Sequence, residues 1–326
     1  MPATRKQSAL GLTRACEGIG MRIGIAVREA LPAADAAAEE LKGWLSERGN
    51  ETVSFPEVFD GAKVDMVIVL GGDGTLLQVA NQMAPRETPV LGINFGHIGY
   101  LCEVSSDRIH EAMQQVVFGQ YTVELRTMVR ATVERNGRTL RSMDALNEIL
   151  VGGATRTLTL EVTIDDERLG EIRGDGIIVA TRTGSTAYSF SAGGSILLQD
   201  GLVLVASNAV FATSIRSLIL PTTARIQIRD HSWATTPYVI ADGQRDYRMR
   251  KGDVVEITRS PIQARFVNLG LVSPIRKLSQ GFGLRHVEVK EPTATPGEHP
   301  ERGHVPHKRN GHRAAEEPLD KRPEIR

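Results

Sequence analysis

The chain has little of what would build a disulfide framework, a thiolate metal site or a membrane span. It holds two cysteines in 326 residues, Cys16 and Cys102, far apart and without metal-type spacing. Such sparse usage fits a reducing, cytoplasmic compartment. No apolar run approaches the ~20 residues of a membrane helix. The opening stretch, residues 1–20, contains no signal-peptide core. Neither sign of charge dominates, since 39 basic residues balance 39 acidic ones. Without a net field, nucleic acid and membrane surfaces are not the expected partners, and a small molecule is.

What is present centres on Leu70-Gly71-Gly72-Asp73-Gly74-Thr75. The apolar, β-branched run Met66-Val67-Ile68-Val69-Leu70 feeds into it and reads as a buried parallel strand. Glycines permit close approach of backbone to a ligand. Thr75 is the expected cap of a helix whose inner face carries Leu76, Leu77, Val79 and Ala80. Strand, glycine turn and helix N-terminus make an anion site, because free N–H groups converge there. A carboxylate in such a site repels its ligand unless it serves as general base or metal contact. The plainer alternative makes Asp73 a local cap in a tight turn.

Length suggests two domains. Strands and helices alternate from Met21 onward. Arg22–Val27, Thr52–Phe55, Met66–Leu70 and Pro89–Ile93 read as strands, and Ala33–Arg48, a segment ending near Met83, and Asp107–Phe118 as helices. This is a Rossmann-like parallel α/β region, whose ligands bind beyond the strand C-termini. A second glycine-bearing loop, Asn94-Phe95-Gly96-His97-Ile98-Gly99, sits at such an end and can face the same crevice. From Val123 to Phe266 short strands dominate: Val129–Glu134, Leu158–Ile164, Gly176–Ala180, Leu202–Val205, Arg225–Ile228, Val239–Ala241 and Val254–Ile257. Asn136-Gly137, Asp242-Gly243 and Lys251-Gly252-Asp253 punctuate them as turns. The expected organisation is an extension or start-site artefact at 1–20, an α/β domain at 21–120 completed by 272–288, and a mostly antiparallel all-β domain at 121–271. Ser273–Gln280 is a closing helix that packs back on the first domain. Residues 289–326 lose all apolar periodicity and read as a disordered tail. The tail's four histidines (His299, His304, His307, His312) are irregularly spaced, which favours a solvated tail over a metal site.

A second constellation begins at Arg173-Gly174-Asp175-Gly176 and runs through Thr181-Arg182-Thr183-Gly184-Ser185-Thr186-Ala187-Tyr188-Ser189-Phe190-Ser191-Ala192-Gly193-Gly194. Hydroxyls beside tight backbone suit sugar, phosphate or base edges. Tyr188 offers a ring face for a base. Ordinary capping explains one or two of these hydroxyls but not the whole run. Asn147 and Glu148 stand adjacent within the apolar stretch Leu146–Val151, so they point to opposite faces of a strand.

In order, GGDGT, NFGHIGYL, NE, GDGIIVATRTGSTAYSFSAGG and ADGQ resemble the NAD kinase family over roughly residues 21 to 285. GGDGT alone is shared with phosphofructokinases and lipid kinases of the diacylglycerol kinase type, which look like distant relatives. The resemblance implies phosphorylation of NAD to NADP on the 2′-hydroxyl of the adenosine ribose, with ATP or polyphosphate as donor. By motif position it makes Asp73 the general base, and Asp73 and Gly74 the first dinucleotide contact. Asn147 and Glu148 become the pair near the adenosine, with Arg173 and Asp175 just before the signature strand. Thr186, Ala187, Tyr188, Ser189, Phe190 and Ser191 wrap the adenosine, with Tyr188 stacking. Gln244 is a late polar contact, and Arg156 falls at a variable basic position. It also implies Mg²⁺ bound with the donor, no resident metal ligands, and a homo-oligomer, dimer or tetramer. Three places depart from the family pattern. Arg182 and Ser195 replace prolines, and Phe211–Ser217 lacks the family's prolines and histidine.

A ribose hydroxyl is a poor nucleophile, so Asp73 is expected to take its proton while the amides of Gly71, Gly72, Gly74 and Thr75 hold donor phosphates. The absence of G-x-x-x-x-G-K-[ST] excludes a Walker-type site, and the absence of G-x-G-x-x-G excludes an ordinary NAD-linked dehydrogenase. Two alternatives stand beside this reading: a kinase of another small molecule or lipid built on the GGDGT core, and a non-catalytic NAD sensor.

Overall fold

Four short apolar strands build a parallel sheet: β1 (Arg22–Val27), β2 (Glu51–Ser54), β3 (Met66–Gly71) and β4 (Val90–Asn94), in spatial order β2-β1-β3-β4. Every residue of β3 and β4 is buried, because helices cover both faces. Alternate side chains serve the two faces. Met66, Ile68 and Leu70 pack against α1 (Pro32–Ser46) and α3 (Ile109–Val117), while Val67 and Val69 pack against α2 (Asp73–Met83). In this computed structural model the described residues are 20–96, 99–153, 155–210, 215–233 and 235–282. Cys16, His97, Ile98, Phe211–Ser214 and the expected tail at 289–326 with its histidines lie outside them.

A short strand, β5 (Val104–Ser105), adds to β4. Beyond it the strands run antiparallel. β6 (Thr122–Arg135) and β17 (Asp253–Asn268) pair from Asp253↔Arg135 to Asn268↔Thr122. β17 also pairs parallel with β4 at Phe266↔Val90. One sheet of 11 strands therefore runs from the parallel region into the antiparallel one, through β7 (Arg138–Ala145), β9 (Leu158–Ile164), β10 (Glu167–Gly174) and β14 (Ile226–Asp230). The regions read as 21–120 and 121–271 are joined by backbone hydrogen bonds, not only by a linker.

A second sheet of six strands has the order β13 (Ser217–Leu220), β12 (Leu202–Ser207), β11 (Gly176–Thr181), β8 (Glu148–Gly152), β15 (Tyr238–Ala241), β16 (Arg245–Arg248). It packs face to face on the antiparallel half of the first. Val129, Val133, Leu160, Ile228 and Ile257 from one sheet meet Ile149, Val151, Val179 and Leu204 from the other. The Asp242-Gly243 turn joins β15 to β16 with φ of 52° and 65°, and Asn136-Gly137 joins β6 to β7 with 51° and 72°. Two successive positive φ values are what the two-residue Asn136-Gly137 hairpin requires, and Asp242-Gly243 opens a three-residue loop that Gln244 completes.

The structure corrects several expectations. β7, β10 and β16 carry many exposed polar side chains, so no apolar alternation announces them, and the four-residue β13 is too short to show one. The helix after the glycine turn begins at Asp73 with Gly72 as its N-cap and no side-chain cap, so Thr75 is not the cap. Its hydroxyl instead lies over Gly71, where a Cβ would come within 2.9 Å of Oγ1. The closing helix α5 spans Pro274–Gly281, and Gly281 lies against the ring of Tyr100.

Candidate active site

β3 ends at Gly71, and α2 starts two residues later. The first N–H groups of α2 lack intrahelical acceptors. Asp73 does not turn back to cap them. Its Oδ2 accepts the N–H of Tyr100 at 2.6 Å, and its Oδ1 accepts that of Cys102 at 3.2 Å. Leu101 N–H lies 3.2 Å from both oxygens. The carboxylate thus fastens the second glycine-bearing loop to the first. A Cβ on Gly99 would overlap this carboxylate, which accounts for glycine there. Burial and the nearby Asp73 charge both push the Tyr100 phenol and the Cys102 thiol upward in pKa.

A second aspartate shapes the opposite wall. Asp242, 7 % exposed, accepts the N–H groups of Leu146 (2.8 Å), Asn147 (2.7 Å) and Glu148 (3.0 Å). It also accepts Asn81 Nδ2 of α2 at 2.7 Å, tying the hairpin to the helix of the glycine turn. Burial raises the Asp242 pKa and these hydrogen bonds oppose the rise. Glu148 is buried beside it, and its carboxyl is pushed up to about 8 by burial first and by Asp242 second.

The Thr181–Thr186 turn docks on the same segment. Thr181 Oγ1 donates to Leu146 O (2.6 Å) and accepts Gly184 N–H (3.1 Å). Gly184 touches the Asn147 carbonyl so closely that a Cβ would overlap it. Ser185 Oγ donates to Arg182 O (2.7 Å) and accepts Leu197 N–H (3.0 Å), while Thr186 Oγ1 donates to Thr183 O (3.2 Å). Three of the hydroxyls in the run are therefore used to hold the turn.

One pocket collects Asp73, Gly74, Asn147, Thr186 and Ala187 from the expected site, and adds Leu77, Tyr100, Leu101 and Thr183. Two buried polar atoms on its wall, Asn147 Oδ1 and Tyr100 Oη, have no partner among the described residues. Buried polar atoms are ordinarily hydrogen-bonded, and Tyr100 Oη lies toward Gly281 of the closing helix. Tyr100 and Leu101 lie in the quoted NFGHIGYL stretch, and its position at a strand C-terminus was the available signal.

The other expected residues lie elsewhere. Tyr188 and Phe190, on the short helix α4 (Tyr188–Ser191), are 46 % and 41 % exposed. Ser191 is exposed. Ser189 is buried, its hydroxyl against Gly194 and without a partner among the described residues. Glu148 is buried and does not line the pocket, and Gln244 is exposed on the β15–β16 turn. Arg156, Arg173 and Asp175 are exposed and do not line the pocket: Arg156 lies in the β8–β9 connection, Arg173 near the end of β10 in the first sheet, and Asp175 just before β11, where it accepts Asn208 Nδ2 at 2.7 Å. The six residues of β11 separate Asp175 from the Thr183 turn. At ~3.3 Å per residue that is about 20 Å. Arg182 does not face the pocket as an unpaired cation. It pairs with Glu124 of β6 at 3.1 Å.

A glycine turn at the C-terminal end of an interior parallel strand, sharing one pocket with a hydroxyl-bearing strand–helix turn, defines a nucleotide-binding α/β protein. Residues 19–121 match the ATP-NAD kinase N-terminal domain, and residues 146–269 match the ATP-NAD kinase C-terminal domain. The chain is 34 % identical over 260 residues to the NAD kinase of Nitratidesulfovibrio vulgaris, covering 76 % of this chain and 92 % of that protein. It is 39 % identical over 224 residues to the NAD kinase of Symbiobacterium thermophilum, covering 68 % and 79 %. Among solved structures, yeast NADH kinase complexed with NADH aligns with a TM-score of 0.71 at 22 % identity, covering 83 % of this chain and 90 % of that one. An NAD kinase from Archaeoglobus fulgidus in complex with ATP aligns at 0.64 and 24 %, covering 81 % and 98 %. The chain belongs to the NAD kinase family.

Proposed function

We propose that the chain transfers a phosphoryl group from ATP or polyphosphate to the 2′-hydroxyl of the adenosine ribose of NAD, giving NADP. The observation that carries this is the pocket joining Asp73 to Asn147, Thr186 and Ala187. In the reaction a bond forms between the ribose oxygen and the terminal phosphorus, the bond from that phosphorus to the donor breaks, and the ribose proton passes to Asp73. Asp73 is held for this by three successive backbone N–H groups. The unpaired N–H groups at the start of α2 receive donor phosphates. Asn147 offers its amide to the base edge, and the exposed ring of Tyr188, next in the chain to the pocket residue Ala187, is free to stack on the base. Asp73 is the carboxylate on the pocket wall and a hard oxygen ligand, so it fits a magnesium ion held mainly by the donor's own phosphates. Such an ion neutralises phosphate charge when bound.

Arg156, Arg173 and Asp175 reach a dinucleotide only from a second copy of the chain, given their distance from the pocket. The enzyme therefore acts as a homo-oligomer, with the end of the β-sandwich that carries these residues beside the pocket of a neighbour. Cys102, a free buried thiol, suits the reducing cytoplasm. No described helix is long and apolar enough to cross a membrane.

Purified protein with Mg²⁺, NAD and either ATP or polyphosphate tests the reading by NADP formation. NAD binding without turnover supports a sensor, and no NAD binding up to millimolar concentration overturns the assignment.

A further inference from the structure

Behind the nucleotide pocket lies a second cavity of about 170 Å³. The two share a wall made of Tyr100, Leu101, Thr183 and Thr186. Its floor is apolar, from Leu197, Phe266, Val272 and Leu278. At ~10–15 Å³ of this measure per water, it has room for about a dozen water-sized groups.

The charges facing it are unequal. Glu103, Glu124, Arg126, Arg182 and Lys277 line it, two carboxylates against three cations. Both carboxylates are already engaged. Glu103 accepts the N–H groups of Leu269 and Leu271 at 3.0 and 3.1 Å. Glu124 pairs with Arg126 and Arg182, each at 3.1 Å. Lys277 of α5 has no ion-pair partner among the described residues, and Arg126 lies near enough to repel it. Burial and the Arg126 charge lower its pKa, and the more distant Glu103 and Glu124 only partly oppose the fall. A cation held half out of water with no carboxylate in contact is unfavourable, and an anion relieves it.

We propose that this cavity binds a small anion on an apolar body, with its charged end at Lys277 and Arg126 and its apolar end against Phe266 and Leu278. Arg182 gives the site a route to the nucleotide pocket. It stands immediately before Thr183, which lines both cavities. An anion that draws the guanidinium from Glu124 moves the turn that carries Thr183 and Thr186. The proposal goes beyond the kinase reaction, because the ligand is neither nucleotide nor donor.

Calorimetric titration of phenyl phosphate into the full chain tests it, first alone and then with NAD present, with benzoate as a parallel arm. Phosphate and carboxylate share the required chemistry, and the two arms rank them. Binding that persists with NAD present, and that falls at least tenfold in Lys277→Met but not in Lys277→Arg, supports the site. The loss of one charge-assisted contact, ~1.5–3 kcal/mol, corresponds to about a ten- to hundredfold change. The KM for NAD should then shift with phenyl phosphate in the wild type and stay constant in Lys277→Met. Absence of binding up to about 10 mM, competition with NAD, or equal affinity in Lys277→Met overturns it. The NAD titration in the same series reports the nucleotide site separately, so failure of one assignment is distinguishable from failure of the other.

Discussion

The Asp242 carboxylate accepts the backbone N–H of Asn147 at 2.7 Å across 95 residues of chain. Asp73 makes the matching arrangement on the other side of the pocket, with the N–H of Tyr100 at 2.6 Å. Each aspartate gathers three consecutive amides, 146–148 for one and 100–102 for the other. The pocket is therefore defined by two carboxylates that order main chain, and apolar packing supports them from behind.

Asp242→Ala leaves three backbone donors and the Asn81 amide without their acceptor in a buried site. Each orphaned group costs about 1–3 kcal/mol, offset in part by relaxation. We expect an overall loss of roughly 3–5 kcal/mol in denaturant unfolding, the range for breaking a buried hydrogen-bonded network. NAD affinity should fall with it, because Asn147 loses its anchor. A variant within about 0.5 kcal/mol of wild type, the usual range for surface changes, would deny Asp242 this role.

Asp73→Asn removes basicity and keeps shape. If Asp73 takes the ribose proton, kcat should fall by ~10²–10⁴. The KM for NAD should change far less. The amide keeps one oxygen for the 100–102 amides, so melting temperature falls modestly rather than collapsing. Steady-state kinetics beside melting curves separates the two effects, and activity within about threefold of wild type excludes general-base catalysis by this residue.

Asn147→Ala and Tyr188→Ala test the base contacts. Loss of a hydrogen-bond partner costs ~1–3 kcal/mol, and loss of an aromatic stack a similar amount. Each should weaken NAD binding roughly ten- to hundredfold by calorimetry. Tyr188 is 46 % exposed, so its removal should leave thermal stability nearly unchanged. Tyr100→Ala should lower stability as well, since its ring packs on Phe282 at 5.2 Å between centroids and against Gly281. Unaltered NAD affinity in Tyr188→Ala would move the stacking role to Tyr100.

Glu148 sets a pH dependence of stability. Its folded-state pKa, about 8, lies above the ordinary value of 4.5. Between those values the native state holds a proton that the unfolded chain releases. Stability contributed at this site is therefore greatest below pH 4.5 and is lost as pH rises toward 8, by at most ~1.4 kcal/mol per unit. Glu148→Gln should match wild type near pH 5 and exceed it near pH 8 in denaturant melts. An equal difference at both pH values would show that the carboxyl titrates normally.

Much of the architecture was legible in residue order. The all-apolar β3 and the glycine turn after it could only be a buried strand entering a helix, and the Asn136-Gly137 and Asp242-Gly243 pairs marked hairpins, because local backbone geometry admits few other residues. Edge strands such as β10 and β16 were not legible, since a strand with one face in water and few partners needs no apolar pattern. The two-region boundary was legible as a change of texture, but not the long β6–β17 pair that carries one sheet across it, because strand partners are chosen by contacts distant in sequence.

The site divides in the same way. Sequence by itself determined which residues are able to do the chemistry: a carboxylate in an anion-binding turn, an amide in an apolar strand, a run of hydroxyls after a buried strand. Tertiary structure alone decided which of them meet. It placed Asp73, Asn147 and Thr186 on one pocket, and it left Arg156, Arg173 and Asp175 exposed outside it. It turned Arg182 toward Glu124, and it made Asp242, a turn residue by its neighbours, the acceptor for three amides 94–96 residues away. The physical reason is that side-chain chemistry is a local property of the residue. Direction, burial and hydrogen-bond partner are set by whichever distant segment the packed core brings alongside.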